Sequence, residues 1–310
     1  MKLFSGTSNL PLSKEVSKLL KTPLSKCEII RFGNSEVRVR IEENVKDQTC
    51  VILQSTSNPT DTNLMELFFF CDALKRSEAK KVIGFIPYFG YARQNIQHRK
   101  GECVSTNVVI RFLENIGFDE IYTFDLHDEA TEGIFTIPFT NLTALKILSE
   151  KIKKYLKENN ISLSSVAVVS PDQGGVERTR KFANYFYNNQ KFSIGIIEKK
   201  RDQDIIHKVK SLDLYGNVKG KTVIMPDDVT TSGETLINAA GLILKKQAKQ
   251  VFAAITHHDF TKDAPSKIQN SNIQKFFTTN TIELKEKEKF PKLKEYSIAS
   301  NIAEKLKSLK

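Results

Sequence analysis

Val223-Ile224-Met225-Pro226-Asp227-Asp228-Val229-Thr230-Thr231-Ser232-Gly233-Glu234-Thr235 runs from an apolar stretch, through two carboxylates, into a turn rich in hydroxyls with one glycine. Residues 222–225 read as a strand and 235–246 as the helix that follows it. The turn opens that helix, where successive backbone N–H groups and the Thr and Ser hydroxyls can cradle a phosphate dianion. The two aspartates at the strand end can accept hydrogen bonds from vicinal sugar hydroxyls. In open α/β sheets ligands gather at the carboxyl ends of strands, which is where this segment lies. An ordinary capped turn with surface acids accounts for any three of these residues but poorly for the whole pattern.

The same alternation extends outward. Further strands are expected at 28–32, 50–53, 81–86, 120–124, 166–170, 193–197 and 251–256, and helices at 64–75 and 176–187. Short β-branched runs alternating with amphipathic helices predict an α/β fold with mainly parallel sheets. A chain of 310 residues is about twice a usual domain of ~150 residues. Two similar domains are expected, 1–145 and 146–310, each a mainly parallel sheet flanked by helices. The Lys-rich helix and Asn159-Asn160 turn within 141–160 mark the junction.

Composition narrows the function classes. The hydrophobic fraction of 40% supports buried cores. No apolar run approaches the ~18 residues of a membrane span, and the first residues lack the apolar core of a secretory signal, so a cytoplasmic protein is expected. Cys27, Cys50, Cys71 and Cys103 stand singly and read as reduced structural thiols. The net charge of +11 comes from lysines spread over solvated helix faces, 151–157 and 285–294 among them. With no Arg-rich stripe interleaved with aromatics and no tryptophan, the charge argues against nucleic acid as a partner. It suits phosphorylated substrates.

The 223–235 segment resembles the ribose-phosphate motif of type I phosphoribosyltransferases and of ribose-phosphate pyrophosphokinases. The second resemblance continues along nearly the whole chain. Lys2 to Asn9 matches that family's first strand and turn. Phe32-Gly33-Asn34-Ser35-Glu36, Gln54-Ser55-Thr56, Asn63-Leu64-Met65-Glu66-Leu67 and Asp72-Ala73-Leu74-Lys75-Arg76 follow in the family's order. Ile86-Pro87-Tyr88-Phe89-Gly90-Tyr91-Ala92-Arg93-Gln94, Asp125-Leu126-His127, Ser170-Pro171-Asp172 with Gly174-Gly175, and Lys199-Lys200-Arg201 complete it.

The resemblance implies a type I phosphoribosyltransferase-like fold and transfer of the diphosphoryl group of Mg2+-bound ATP to the 1-hydroxyl of ribose 5-phosphate, a step of nucleotide biosynthesis. It implies that Lys199 and Arg201 are catalytic, placing cations on the migrating phosphates. They are expected just after a strand, at the head of a mobile loop over 202–213 that closes on ATP. ATP, for which no Walker signature is present, is implied to be held by Arg93, Gln94 and His127. Phe32, Asn34 and Glu36 would come from a neighbouring subunit of a homo-oligomer, dimer-based and up to a hexamer. Asp172, Asp227, Asp228, Thr231, Ser232, Gly233, Glu234 and Thr235 would hold ribose 5-phosphate. His127 and Asp172 would hold Mg2+, directly or through water. The remaining histidines read as structural or surface residues.

Several positions depart from the family pattern. Cys103 stands where the family has proline, Ser35 replaces a glycine, and Thr231 replaces a frequent third aspartate. After His127 the chain reads Asp128-Glu129-Ala130-Thr131-Glu132-Gly133 in place of a glutamine-bearing stretch. These changes spare the catalytic set and touch regions tied to subunit contact and regulation. The alternatives are a non-catalytic partner or regulatory subunit, and a phosphoribosyl diphosphate-sensing regulator that binds nucleic acid. Retention of Lys199, Arg201, His127 and Asp172 argues against the first, and the ATP motifs argue against the second.

Overall fold

Continuous apolar runs become central parallel strands because both faces of such a sheet are covered. In the computed structural model, which describes residues 1–188, 191–201 and 209–309 (without side chains at 199–201 and 209–212), these runs build two sheets. Contacts divide the chain into two units: residues 1–143, 280–283 and 297–310, and residues 144–279 and 284–296. Residues 280–283 and 297–310, which the sequence reading assigns to the second half, pack within the first unit.

In the first unit β1 (Lys2–Ser5) and α1 (Leu10–Leu20) precede a hairpin of β2 (Cys27–Arg31) and β3 (Val37–Ile41). Then β4 (Thr49–Leu53), α2 (Thr60–Arg76), β5 (Lys81–Phe85), α3 (Ser105–Ile116), β6 (Glu120–Phe124) and β7 (Phe139–Leu142) alternate. The sheet order is β1-β4-β5-β6-β7, every pair parallel. Asn9 caps α1 by accepting from the Leu12 amide at 3.2 Å, one of the donors a helix start leaves open. The hairpin packs on α2 through Cys27, Ile29, Val39 and Ile41, while Glu28, Arg38 and Arg40 point away, the alternation of a half-covered ribbon.

In the second unit α4 (Leu145–Glu158), β8 (Val166–Ser170), α5 (Val176–Tyr187), β9 (Ile194–Arg201) and β10 (Val209–Tyr215) come first. They are followed by β11 (Thr222–Thr230), α6 (Glu234–Lys245), β12 (Gln250–His258), α7 (Ala264–Asn270), β13 (Ile273–Thr279) and β14 (Leu293–Tyr296). The order is β10-β9-β8-β11-β12-β13-β14, parallel except for β10 against β9. Alternation divides the core: Val223 and Met225 meet Leu236, Ala240 and Ile243 of α6, while Ile224 meets Leu148, Ile152 and Phe182 of α4 and α5. The chain leaves β8 toward β9 on one side and returns on the other as β11. A topological switch point therefore opens between β8 and β11 at their carboxyl ends. The last helix, α8 (Ala299–Lys307), packs on α1 in the first unit.

Three expectations need correction. The strand at 222–225 continues to Thr230, since Asp227, Val229 and Thr230 keep their pairing with Ile255, His257 and His258. The strand at 193–197 likewise continues through Lys199 to Arg201, because β10 pairs with it; the 209–213 part of the expected mobile loop is strand, and 202–208 lies outside the described residues. Residues 285–294 form a single turn of 3-10 helix and the start of edge strand β14, not a long helix face. Among the described residues no helix is long and apolar enough to cross a membrane. Burial pushes the Cys71 thiol up to about 12 and those of Cys27 and Cys50 to about 11, whereas Cys103 is exposed.

Candidate active site

The switch point of the second sheet gathers the residues expected to hold ribose 5-phosphate. Asp227 and Asp228 are consecutive in β11, so their side chains leave opposite faces of the pleat, and both curl toward α5. Arg178, in the first turn of α5, places Nη1 2.7 Å from Asp227 Oδ1 and 3.0 Å from Asp228 Oδ1. Asp227 Oδ1 also accepts the Asp228 amide at 3.0 Å. Asp228 is buried and Asp227 half-buried. The Asp227 carboxyl is held well above the usual carboxylate range, first by burial, then by the Asp228 charge; Arg178 opposes both, and Asp172 adds to the rise.

Asp172 follows β8, the strand beside β11. Its Oδ1 accepts the Gly175 amide at 3.1 Å, and Ser170 Oγ donates to its carbonyl at 2.6 Å, which fixes the turn into α5. Next to it, Thr231 to Thr235 wrap into α6. Gly233 caps this helix at φ +78, a left-handed conformation, and a Cβ there would lie 2.8 Å from Ile268 Cγ1. Glycine is required by both backbone and space. Ser232 Oγ accepts the Glu234 amide at 3.4 Å, and Glu234 pairs with Lys267 at 3.3 Å. The N-cap position supplies no side-chain cap to this helix start, and a helix N-terminus with its positive dipole end suits an anion.

Lys199 and Arg201 lie on β9, parallel to β8 with Ile196 opposite Ser170. At ~3.3 Å per residue, the Lys199 backbone stands about 10 Å beyond that row. The β9–β10 ribbon thus projects past the edge that carries Asp172. The side chains of Lys199 and Arg201 lie outside the described residues.

The first unit has its own cluster at the carboxyl ends of β5 and β6. The turn after β5 holds Tyr91 at φ +65, with its hydroxyl on Asp61, and Thr106 Oγ1 donates to the Tyr91 carbonyl at 2.7 Å. Gln94 follows, exposed, its side-chain Oε1 accepting from Ser105 Oγ at 2.6 Å. Arg93 is exposed beside it. Asn95 Nδ2 donates to Asp128 Oδ2 at 2.6 Å and ties this turn to the exposed His127 after β6. Phe32, Asn34 and Glu36 sit elsewhere, exposed at the tip of the β2–β3 hairpin with Arg38 over the Phe32 ring at 5.8 Å. Among the described residues no hydrogen bond or ion pair joins them to Arg93 or Gln94. No group of three or more His, Cys, Asp or Glu side chains is placed as a ready metal cage among the described residues.

Residues 1–117 match the N-terminal domain of ribose phosphate pyrophosphokinase, and residues 172–310 the phosphoribosyl synthetase-associated domain. The ribose-phosphate pyrophosphokinase of Bacillus subtilis is 37% identical over 304 residues, covering 98% of this chain and 92% of the relative. The chain belongs to the ribose-phosphate pyrophosphokinase family. The enzyme of that name from Aquifex aeolicus is 36% identical over 309 residues, with 100% and 96% covered. The crystal structure of phosphoribosylpyrophosphate synthetase from Mycobacterium smegmatis superimposes with a TM-score of 0.90 at 31% identity, covering 99% of this chain and 98% of that one. A match of this extent makes the chain an enzyme of the family, with the α/β architecture expected from its strand–helix alternation.

Arg178 and Ser105, which contact the Asp227–Asp228 pair and Gln94, are the neighbours of the expected site residues that the sequence alone did not single out. Arg178 carried a signal: a basic residue one turn into the helix that follows Asp172 and Gly174-Gly175 faces back toward the ligand edge. Ser105 carried none.

Proposed function

We propose that the chain transfers the diphosphoryl group of magnesium-bound ATP to the 1-hydroxyl of ribose 5-phosphate, giving 5-phosphoribosyl 1-diphosphate and AMP. The observation that carries this is the switch point of the second sheet, where Asp172, the Asp227–Asp228 pair and the Gly233 turn share one edge. The turn and the start of α6 bind the 5-phosphate, with Thr231, Ser232 and Thr235 supplying hydroxyls. Asp227 and Asp228 accept hydrogen bonds from the ring hydroxyls and so present the anomeric oxygen toward the β9–β10 ribbon. Arg93, the side-chain amide of Gln94 and His127 hold the nucleotide, and Phe32, Asn34 and Glu36 of a neighbouring copy complete its pocket.

The anomeric oxygen forms a bond to the β-phosphorus while the bond to the α–β bridging oxygen breaks; AMP departs and the hydroxyl proton is released. Lys199 and Arg201 neutralise charge on the migrating group, where alignment and electrostatics supply most of the acceleration. Carboxylate oxygens suit magnesium, a hard cation that keeps several waters. Asp172 would hold it on the sugar side and His127, through water, on the nucleotide side. When bound, it neutralises phosphate charge and orients the diphosphate. We place this work in the cytoplasm, in nucleotide precursor synthesis, by a homo-oligomer. Purified protein with ribose 5-phosphate and magnesium-ATP should release AMP and 5-phosphoribosyl 1-diphosphate in equal amounts. ATP hydrolysis without a phosphoribosyl product would refute the assignment.

A further inference from the structure

The inward face of the β2–β3 hairpin is apolar at Cys27, Ile29, Val39 and Ile41, yet the same face ends in a charged residue, Arg31. Its guanidinium is used at both ends. Nη2 is 3.5 Å from Glu66 Oε2, and Nη1 donates to the Ser35 carbonyl at 3.2 Å. Glu66 is 1% exposed, where an ionised carboxylate is costly unless it is hydrogen-bonded and paired. It is met by the Thr7 amide and hydroxyl, both at 2.7 Å, and by Gln54 Nε2 at 3.0 Å. Thr7 follows β1 and Gln54 follows β4, so both belong to the carboxyl edge of the first sheet. The cluster is close-packed: a Cβ on Gly6 would stand 2.1 Å from Gln54 Oε1. At the other end, Ser35 holds a left-handed φ of +70, which a side chain disfavours, and the Arg31 bond reaches its carbonyl.

We infer that Arg31 is a positioning residue for the 32–36 loop, fixing that loop to the core of its own subunit through Glu66. The inference rests on the reading of 32–36 as the nucleotide loop for its catalytic consequence, but not for its structural one. A rigid fork spans the two acceptors; the single ammonium of lysine cannot meet both.

The chain has no tryptophan, so Phe32→Trp gives a fluorescence signal from the loop alone. In that background Arg31→Ala should raise the acrylamide quenching constant about twofold and lower the anisotropy, with Arg31→Lys between. In the otherwise unaltered enzyme, Arg31→Ala should raise KM for magnesium-ATP about tenfold, equivalent to ~1.4 kcal/mol, with KM for ribose 5-phosphate unchanged. Unaltered quenching in both Arg31 variants overturns the inference. Looser quenching with KM for ATP unmoved in both Arg31→Ala and Phe32→Ala keeps the positioning role and removes the nucleotide assignment. A raised KM for ATP in Phe32→Ala but not in Arg31→Ala keeps the assignment and overturns the positioning role. If Arg31→Ala unfolds by circular dichroism, Arg31→Lys decides on the same readouts.

Discussion

Arg178 Nη1 stands 2.7 Å from Asp227 Oδ1, so the acid pair of β11 has its counter-charge before any substrate binds. The side chains of Arg178 and Asp228 are only 13% and 3% exposed, which makes this an internal ion cluster. Removing one partner of such a cluster leaves uncompensated buried charge. Arg178→Ala should therefore lower unfolding free energy by about 3 kcal/mol, read by urea denaturation. It should also raise KM for ribose 5-phosphate well above any change in KM for ATP, because the carboxylates lose their fixed aim. A stable variant with normal ribose 5-phosphate affinity would remove Arg178 from the site.

The raised carboxyl of Asp227 has a stability consequence with a definite sign. Its folded value lies above the unfolded one, about 3.9, so between those two values the native state binds more protons than the unfolded state. Stability from this group is present at low pH and is lost as pH rises through that window. Asp227→Asn should flatten this fall and raise the melting temperature near neutrality while weakening ribose 5-phosphate far more than ATP. The comparison is a set of thermal melts from acid to neutral pH. An unchanged slope would assign the titration to another group.

Gly233→Ala tests the phosphate turn. The left-handed φ of +78 and the 2.8 Å approach to Ile268 both oppose a side chain. Strain of this kind costs about 1–3 kcal/mol, and relieving it must move the backbone amides of the turn, to which the proposed function assigns the 5-phosphate. The variant should melt lower and bind ribose 5-phosphate at least tenfold more weakly, by calorimetry. Wild-type affinity in a destabilised protein would separate the turn from the phosphate.

What could be read in the chain follows from how local each signal is. Strands 120–124 and 166–170 and helix 176–187 coincide with β6, β8 and α5, because each is an apolar run or stripe closed by its own turn residues. The misjudged ends are where pairing overrides composition. Lys199, Lys200 and Arg201 look like loop, yet they oppose Leu212, Ser211 and Val209 in β10. Asp227 and Asp228 look like a strand's end, yet β12 continues alongside them. Arg178 meets Asp227 across 49 residues, a distance that no local pattern encodes. The return of 280–283 and 297–310 to the first unit is equally non-local: the Asn280 carbonyl accepts from Asn9, and Asn280 Oδ1 accepts the Ile298 amide.

Lys199→Ala and Arg201→Ala should each lower turnover by roughly two or more orders of magnitude with small changes in substrate binding. Their backbone stands on the ribbon that overhangs the Asp172 edge. A donor directed at charge that develops only in the transition state is worth about 2.7–4 kcal/mol. Single-turnover kinetics with saturating substrates isolate that step. Near-normal turnover in both variants would reduce the pair to surface charge.

Activity should also depend on self-association. Phe32, Asn34 and Glu36 lie at an exposed hairpin tip, without a polar link to Arg93 or Gln94 among the described residues. The proposed function takes these three residues from a neighbouring copy. Leu67 and Phe70 of α2 are buried, while Met65 and Phe69 of α2 and Phe112 of α3 are exposed apolar side chains that could form a contact surface. Closed symmetric interfaces use such faces. A Lys199→Ala chain keeps a sound nucleotide loop, and a Phe32→Ala, Glu36→Ala chain keeps a sound catalytic ribbon. Each alone should be nearly inactive. Chains co-assembled from both should recover part of the activity, because some shared sites then combine two sound halves. Dilution of the unaltered protein to monomers, followed by light scattering, should abolish turnover. A fully active monomer, or no recovery in oligomers shown to be mixed, would defeat the shared site and leave the chemistry of the second unit standing.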